Sequence, residues 1–582
     1  MPGPLRRLLL IADAAARLGP RAVANRLRHG LLLPLARARL PDAAPPEGPF
    51  FRPDPPPPAP PLPRGFPERL AAALPEAAPD WHGPFDPAAH GLALDLFAAG
   101  DIRPVWERNR LLALPLLAAL HRIAPGAGHL ARAEALLARW CAANPPFRGP
   151  AWACGQEAAL RALHLLLARA LLGQDSQPPT AAMAALLSLH ARRIAATRAY
   201  ALAQDNNHPI SEAAGAAAIA RALGRDDSAE VRRLARLAGR LIAPDGGFSQ
   251  VSTGYLRLLC DTLSVFAWLH RRAGGAALPP PLPERAAAAA RLLGRLASPG
   301  SGALPSIGPQ DGSRFADLSA AGEADAGASA ERALRLFCGE GFGREEDPGA
   351  ALMGLPAPAR PLARPAVWRA AGYAGWEGEG LQAVLRAGPL RFRPGQADLL
   401  HLDLRLDGRP LLPDAGSPTY NPPPGAPWAG YFETTAAHST ISFDPEGPWG
   451  GDQMPRIGRF LFARWPQVEA LPDGAALTDR RGNRQERRIR REGRRLVVED
   501  RLSGPFRRAV LRWHLAGEGW RPTAEGVSGP SLAIALEAEV PLIPELEAGW
   551  RSPSQGLVVP SMVLKVALPA GISRVRSVLL LA

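Results

Sequence analysis

The chain has 582 residues, 47% of them hydrophobic and 21% charged, with a formal net charge of +14. That length supports two or more domains with substantial cores, and the balance excludes a disordered or fibrous chain. Lys565 is the sole lysine and 67 of the 68 basic residues are arginine. The charge therefore reads first as compositional bias and only weakly as a polyanion-binding surface, and no basic helix or recognition module supports a nucleic-acid partner.

In chain order, "MPGPLRRLLLIADAAARLGPRAVANRLRHGLLLPLARARL" opens like an export signal with Arg6, Arg7 and a short apolar run. Asp13, Arg17 and Arg21 then interrupt it, which predicts an amphipathic arm instead. No stretch has the uncharged length of a transmembrane helix. Residues 1–65 are thus read as a basic arm plus the polyproline spacer "PDPPPPAPPLP" at 53–63, separating the arm from the folded body. Over 66–354 Leu and Ala recur at three- and four-residue spacing, as in "EAALRALHLLLARALLG", between Pro/Gly loops. Serial helices without intervening strands predict a toroid of helical hairpins. A Pro-rich linker at 355–366 precedes short alternating runs such as "LQAVLRA", "LLHLDLRL" and "RAVLRWHLAG" over 367–582, which predict an antiparallel β-sandwich. The fold class is α+β multidomain, with a binding cleft expected where the two bodies meet. Cys141, Cys154, Cys260 and Cys338 form no C-x-x-C pair, which predicts buried thiols rather than a zinc motif or disulfide scaffold.

Within the helical half, "DNNHPISEAAG" sets Asn206, Asn207 and His208 before Pro209 at a helix start. Capping accounts for one asparagine, and Pro early in a helix is tolerated because its missing N–H would be unpaired there. Three consecutive polar side chains exceed what a cap requires. Glu212, four residues after His208, falls on the same helical face and is expected to orient the imidazole.

Several stretches together resemble the heparinase II/III-like family of polysaccharide lyases. Trp106, Glu107 and Arg110 in "DIRPVWERNR" resemble its early Trp-Glu-x-x-Arg helix. Trp152, Gln156, Glu157 and Arg161 resemble its Trp loop and following helix, and "NNHPISEAAG" its Asn-His segment. "PDGGFSQVSTGYLRLLCDTL" is similar to the segment bearing its catalytic tyrosine, which maps to Tyr255. Gly308, Asp311 and Gly312 resemble a Gly-x-x-Asp-Gly loop, while "GQADLLHLDLRLDGRPLLPDAGSPTYN" and "YFETTAAHSTISFD" resemble the opening of its β-domain.

The resemblance implies a toroid plus β-sandwich, an acidic uronate-containing polysaccharide as substrate, and β-elimination. That step removes the proton on C5 beside the carboxylate and expels the C4 oxygen. It needs a carboxylate neutraliser, a base and a proton donor. The implied catalytic set is Asn207, His208 and Tyr255, with Arg257 and Arg314 as cations that would favour a phenolate. Asn206, Gln156, Trp152, Arg314 and Gln396 are the candidate substrate-binding residues.

The family's His-x-His-Ala-Asp is here Pro394-Gly395-Gln396-Ala397-Asp398, so the usual second base is missing. Tyr255 as both base and acid, His208, or His401 remain as bases. His401 shares its strand face with Asp403 and Arg405, a face expected to be solvated. Asp414 and His438 occupy the other two metal-ligand positions of the family. A structural zinc held with Gln396 competes with a hydrogen-bonded network among the three, which the poor ligand quality of an amide favours. Two other functional readings stand beside the lyase. One is a glycoside hydrolase using Asp205, Glu157 or Asp311, and the other a catalytically degenerate glycan-binding or capsule-assembly protein. The resemblance implies work in the periplasm; the N-terminus is no clean export signal, so a cytoplasmic site stays open.

Overall fold

The computed structural model describes residues 4–75, 79–447 and 449–581. The chain opens with two helices, α1 (Pro4–Leu18) and α2 (Pro20–Ala38), broken at Gly19, whose φ of 81° favours glycine, with Pro20 starting the second helix. They are not an arm separate from the body. Leu10 and Ala14 of α1 pack on Ala463, Asp13 accepts the Arg464 N–H at 2.6 Å, and Arg17 lies over the Trp465 ring. The His29 ring of α2 meets Tyr200 at 5.1 Å. The pair therefore bridges the helical and β halves, because small inward residues at helical spacing let it seat closely.

The proline-rich stretch is likewise a strap and not a spacer. Phe50 and Phe51 are buried in the toroid core, and Arg122 donates to the carbonyls of Pro57 and Pro58 at 3.3 and 2.8 Å. A proline run has no N–H to satisfy, so its carbonyls are free to accept from side chains.

Helices from Phe66 to Cys338 build the toroid. At its centre is Gly155–Leu171, buried along its whole length against Ala113–Ile123, Ala181–Ala196 and Asn207–Ala222. Small residues set that spacing: a Cβ at Gly215 would come within 2.7 Å of the Ala159 Cβ. The alanine-rich composition is thus a packing requirement on these helices.

Among the described residues the β half holds three large antiparallel sheets and a two-stranded one, Arg456–Ile457 with Leu461–Phe462. Five strands in chain order, Val367–Ala370 to Arg409–Leu412, form the first. Pro544–Ser554, Leu557–Pro569, Arg508–Leu515 and Ile441–Phe443 form the second, and an eight-stranded sheet with Arg495–Ser503 beside Arg574–Leu581 near its middle forms the third. Leu402 and Leu404, Trp513 and Leu564, and Val498 and Leu579 close one core between them. On its other face the first sheet supplies Trp368, Tyr373 and Val384 to the toroid core. Gln382 donates to the Arg295 and Leu296 carbonyls, and Arg405 to Leu304 at 2.6 Å, so the two halves are bolted together by buried polar groups.

Candidate active site

A cavity of about 330 Å³ lies where the halves meet. Four toroid helices turn their first residues towards it: Arg103–Asn109 with Arg103, Gly155–Leu171 with Gln156 and Glu157, Asn207–Ala222 with Asn207 and His208, and Thr253–Arg272 with Tyr255. Helix N-termini carry partial positive charge, so their convergence favours an anion. Asp205, in the left-handed region at φ 49°, ends the preceding helix and turns the chain sharply into Asn206. Arg240 pairs with Asp205, and Ser249 donates to its carbonyl at 2.9 Å, fixing the turn.

Asn206 is the cap: its Oδ1 accepts the His208 N–H at 3.1 Å. The next asparagine does something else. Asn207 and Gln156 line the cavity, and their side-chain amides form no hydrogen bond with any described residue. His208 meets Tyr200 edge-on and has Nδ1 3.9 Å from the Cys154 thiol. Burial, then the nearby Arg103, Arg393 and Arg110, push its pKa down to about 3, so the ring is neutral at pH 7.

Tyr255 sits in a tight polar cluster. Its hydroxyl donates to Asp311 Oδ2 at 2.8 Å, accepts from Arg103 at 3.3 Å, and lies 3.1 Å from the Tyr420 hydroxyl. Arg103 also pairs with Asp311 and stacks over the Tyr420 ring at 4.5 Å. Burial and the adjacent Tyr255 hold Tyr420 well above the ordinary phenol range, so it keeps its proton. Tyr420 comes from the β half, where Asp101 grips its loop through the Tyr420 N–H at 3.3 Å and the Thr419 hydroxyl. Sequence reasoning passed over Arg103 and Tyr420, although both lie in quoted stretches; only three-dimensional folding brings "DIRPVW" and "GSPTYN" to Tyr255.

Five arginines (Arg26, Arg103, Arg110, Arg393 and Arg459) and five carboxylates (Asp101, Glu157, Asp205, Asp311 and Glu433) line the cavity, and four of the carboxylates are neutralised by pairing. Glu157 is held bidentately by Arg110 at 2.7 and 2.8 Å, Asp311 by Arg103, Asp205 by Arg240, and Glu433 by Arg456. Arg26, Arg393 and Arg459 line the same space without an ion pair to any described carboxylate. Phe97, Phe392, Phe460 and Trp428 add flat apolar faces suited to sugar rings.

Several expectations need correction. Trp152 is no substrate contact: it is 1% exposed, donates to the Asn144 carbonyl and packs with Trp140 and Phe147 in the core. Arg314 pairs with Glu107 and Glu323 outside the cavity, and Arg257 donates to Ser329 and the Glu323 carbonyl, so the cations at Tyr255 are Arg103 and Arg393 instead. Glu212 does not touch the imidazole. It is fully buried beside Gly155, both oxygens lack hydrogen bonds, and burial pushes its pKa up to about 8. The face bearing His401, Asp403 and Arg405 is not solvated but buried against the toroid, and His401 does not line the cavity.

Gln396 backs the cavity wall with its amide nitrogen on the Gly416 and Phe432 carbonyls and the Ser417 hydroxyl. It bonds neither Asp414 nor His438, so the three-residue network expected there does not form. Instead Asp414 Oδ2 lies 2.8 Å from His438 Nδ1 and 3.4 Å from His401 Nε2. One ligand atom from each of these three residues falls within 4.8 Å of the others. The Nε2 atoms of His401 and His438 are buried without hydrogen bonds. Two imidazoles and a carboxylate with orphaned nitrogens fit a divalent cation such as zinc; the Gln396 Oε1 is likewise buried without a hydrogen bond. The four cysteines form no disulfide; Cys141, Cys154 and Cys260 are buried and Cys338 half-buried.

The fold and cleft define an (α/α) toroid joined to a β-sandwich, with an anion-favouring site at the junction. Residues 360–566 match the Heparinase II/III-like, C-terminal family model. Among solved structures, heparinase III superposes with a TM-score of 0.63 at 14% identity, covering 95% of this chain and 89% of that one. Heparan sulfate lyase HepC from Pedobacter heparinus gives 0.55 at 16% identity, covering 96% and 88%. Comparison with curated protein sequences gives no match. No described helix is long and apolar enough to cross a membrane.

Proposed function

We propose that this protein is a polysaccharide lyase that cleaves a uronate-containing glycan by β-elimination. The observation that carries this reading is the Arg103–Asp311–Tyr255–Tyr420 cluster lining one cleft with the unpartnered amide of Asn207. Asn207 donates to the uronate carboxylate without a competing charge, and the helix N-terminus behind it favours the dianionic character that develops as C5 loses its proton. Gln156 and Asn206 border the same anion, and neutral His208 adds a ring N–H. Tyr255 first passes its own proton to Asp311 along their 2.8 Å hydrogen bond and then, as a phenolate receiving the Arg103 hydrogen bond, takes the C5 proton. The C5–H electron pair becomes the C4=C5 double bond. The C4–O bond breaks with its pair on the glycosidic oxygen, which is protonated from the Tyr255–Tyr420 hydroxyl pair. Both phenols serve the same side of the sugar, which compensates for Pro394 and Gln396 standing where the family carries histidines. His401, Asp414 and His438 would hold a structural divalent cation behind the cleft, clamping the β-domain segments that carry Gln396 and Tyr420; no proton step needs it.

The hydrolase reading loses support because Asp205, Glu157 and Asp311 each bind an arginine, leaving no carboxyl pair free to act as acid and base. A purely glycan-binding role is favoured by one fact: His208 is the sole histidine among the described residues lining the cleft. Incubation with a panel of uronate-containing glycans separates these readings. Unsaturated sugar ends with new ultraviolet absorbance are expected; binding without chain cleavage across the panel would establish the non-catalytic role.

A further inference from the structure

The outer faces of α1 and α2 have no described partner. Eight of the thirteen large hydrophobic side chains exposed on the described surface belong to these two helices, among them Leu5 at 73%, Leu8 at 63% and Leu31 at 81%. Leu5, Leu8, Leu9, Ala12 and Ala16 make a helical stripe on the side of α1 away from Leu10 and Ala14, which seat the helix on the body. On α2, Leu27, Leu31 and Leu35 repeat at four-residue intervals and are all exposed. A helix docked only on its own protein has no use for a second apolar face.

The charges beside these stripes identify the occupant. Residues 4–41 carry eight arginines and one acid, Asp13, which Arg17 already pairs. Arg6, Arg7 and Arg28, all exposed, make no ion pair with a described residue. A second copy would set these arginines against one another, and a free polyanion would leave the leucines in water. We propose that α1 and α2 dock flat on an anionic lipid surface, with the leucines at the acyl boundary and the arginines at the headgroup phosphates. The inference does not depend on the lyase reading.

Sedimentation of the full chain with phosphatidylcholine vesicles, with and without phosphatidylglycerol, tests it. Binding is expected with phosphatidylglycerol and should weaken as salt rises. It should fall about tenfold or more both in Leu8→Ser/Leu9→Ser/Leu27→Ser/Leu31→Ser and in Arg6→Gln/Arg7→Gln/Arg28→Gln. These side chains are exposed, so the variants are expected to melt like the wild type, which a thermal melt verifies. Equal recovery with and without phosphatidylglycerol, or variants that bind as the wild type does, overturns the proposal. So does a self-associated species in analytical ultracentrifugation that the leucine variant abolishes, which would give the face to a second copy.

Discussion

Adjacent residues with similar chemistry do different work here. Asn206 spends its carbonyl oxygen on the His208 N–H, whereas Asn207 keeps a free amide in the cleft. Asn206→Ser, which preserves capping, is therefore expected to retain most activity, while Asn207→Ala should lower kcat/KM by about 10²–10³, measured by unsaturated-product formation. Tyr420→Phe removes the hydroxyl 3.1 Å from Tyr255. Its expected signature is a kcat loss of about 10²-fold with little change in KM, because the ring still stacks on Arg103. A wild-type rate in that variant would leave Tyr255 acting alone. Motif order and the family resemblance brought forward Asn207, His208 and Tyr255, and all three line one cavity. The same signals were not enough for Trp152 or Arg314, because an indole or guanidinium can face a core or a carboxylate as readily as a sugar, and sequence does not say which.

At the scale of elements, the helix Asn207–Ala222 carries its own stability test in Glu212. Its folded pKa of about 8 lies above the ordinary 4.5, so between those values the folded chain holds a proton that the unfolded chain has released. Stability must fall as pH rises through that window. Glu212→Gln removes the titration. The variant should lose this slope and be more stable than wild type by roughly 2–4 kcal/mol above the window, read from denaturant melts. Parallel curves would mean the carboxyl is ionised and solvated. The same helix meets Gly155–Leu171 through Gly215, and Gly215→Val should cost about 1–3 kcal/mol by overpacking against Ala159. In the β half, His401, Asp414 and His438 are expected to bind one divalent cation per chain by elemental analysis, and chelation should lower Tm; His438→Ala should lose both the metal and that response. Helical periodicity disclosed the toroid's elements, and alternation disclosed the strands. The strand face of His401, Asp403 and Arg405 was misjudged because a polar pattern does not reveal that a second domain will cover it.

The whole molecule owes its site to the joint between its halves. The toroid contributes Asn207, His208, Tyr255 and Arg103, the β-domain contributes Tyr420, Arg393 and Gln396, and α2 contributes Arg26. That α1 and α2 bridge both halves, and that the proline-rich strap is part of the core, could not be seen in composition. Proline runs and leucine-arginine helices look the same whether they wrap a body or leave it. The class of fold was legible because periodicity is local; the cleft was legible only in part because its parts lie hundreds of residues apart. The central claim is that this joint eliminates rather than hydrolyses. Digestion of a cleaved uronate glycan in heavy-oxygen water, followed by mass spectrometry, tests it most directly. The fragment from the non-reducing side of each break should carry no heavy oxygen and its partner should end in an unsaturated uronate. Heavy oxygen at the new reducing end, with no unsaturated partner, would contradict it.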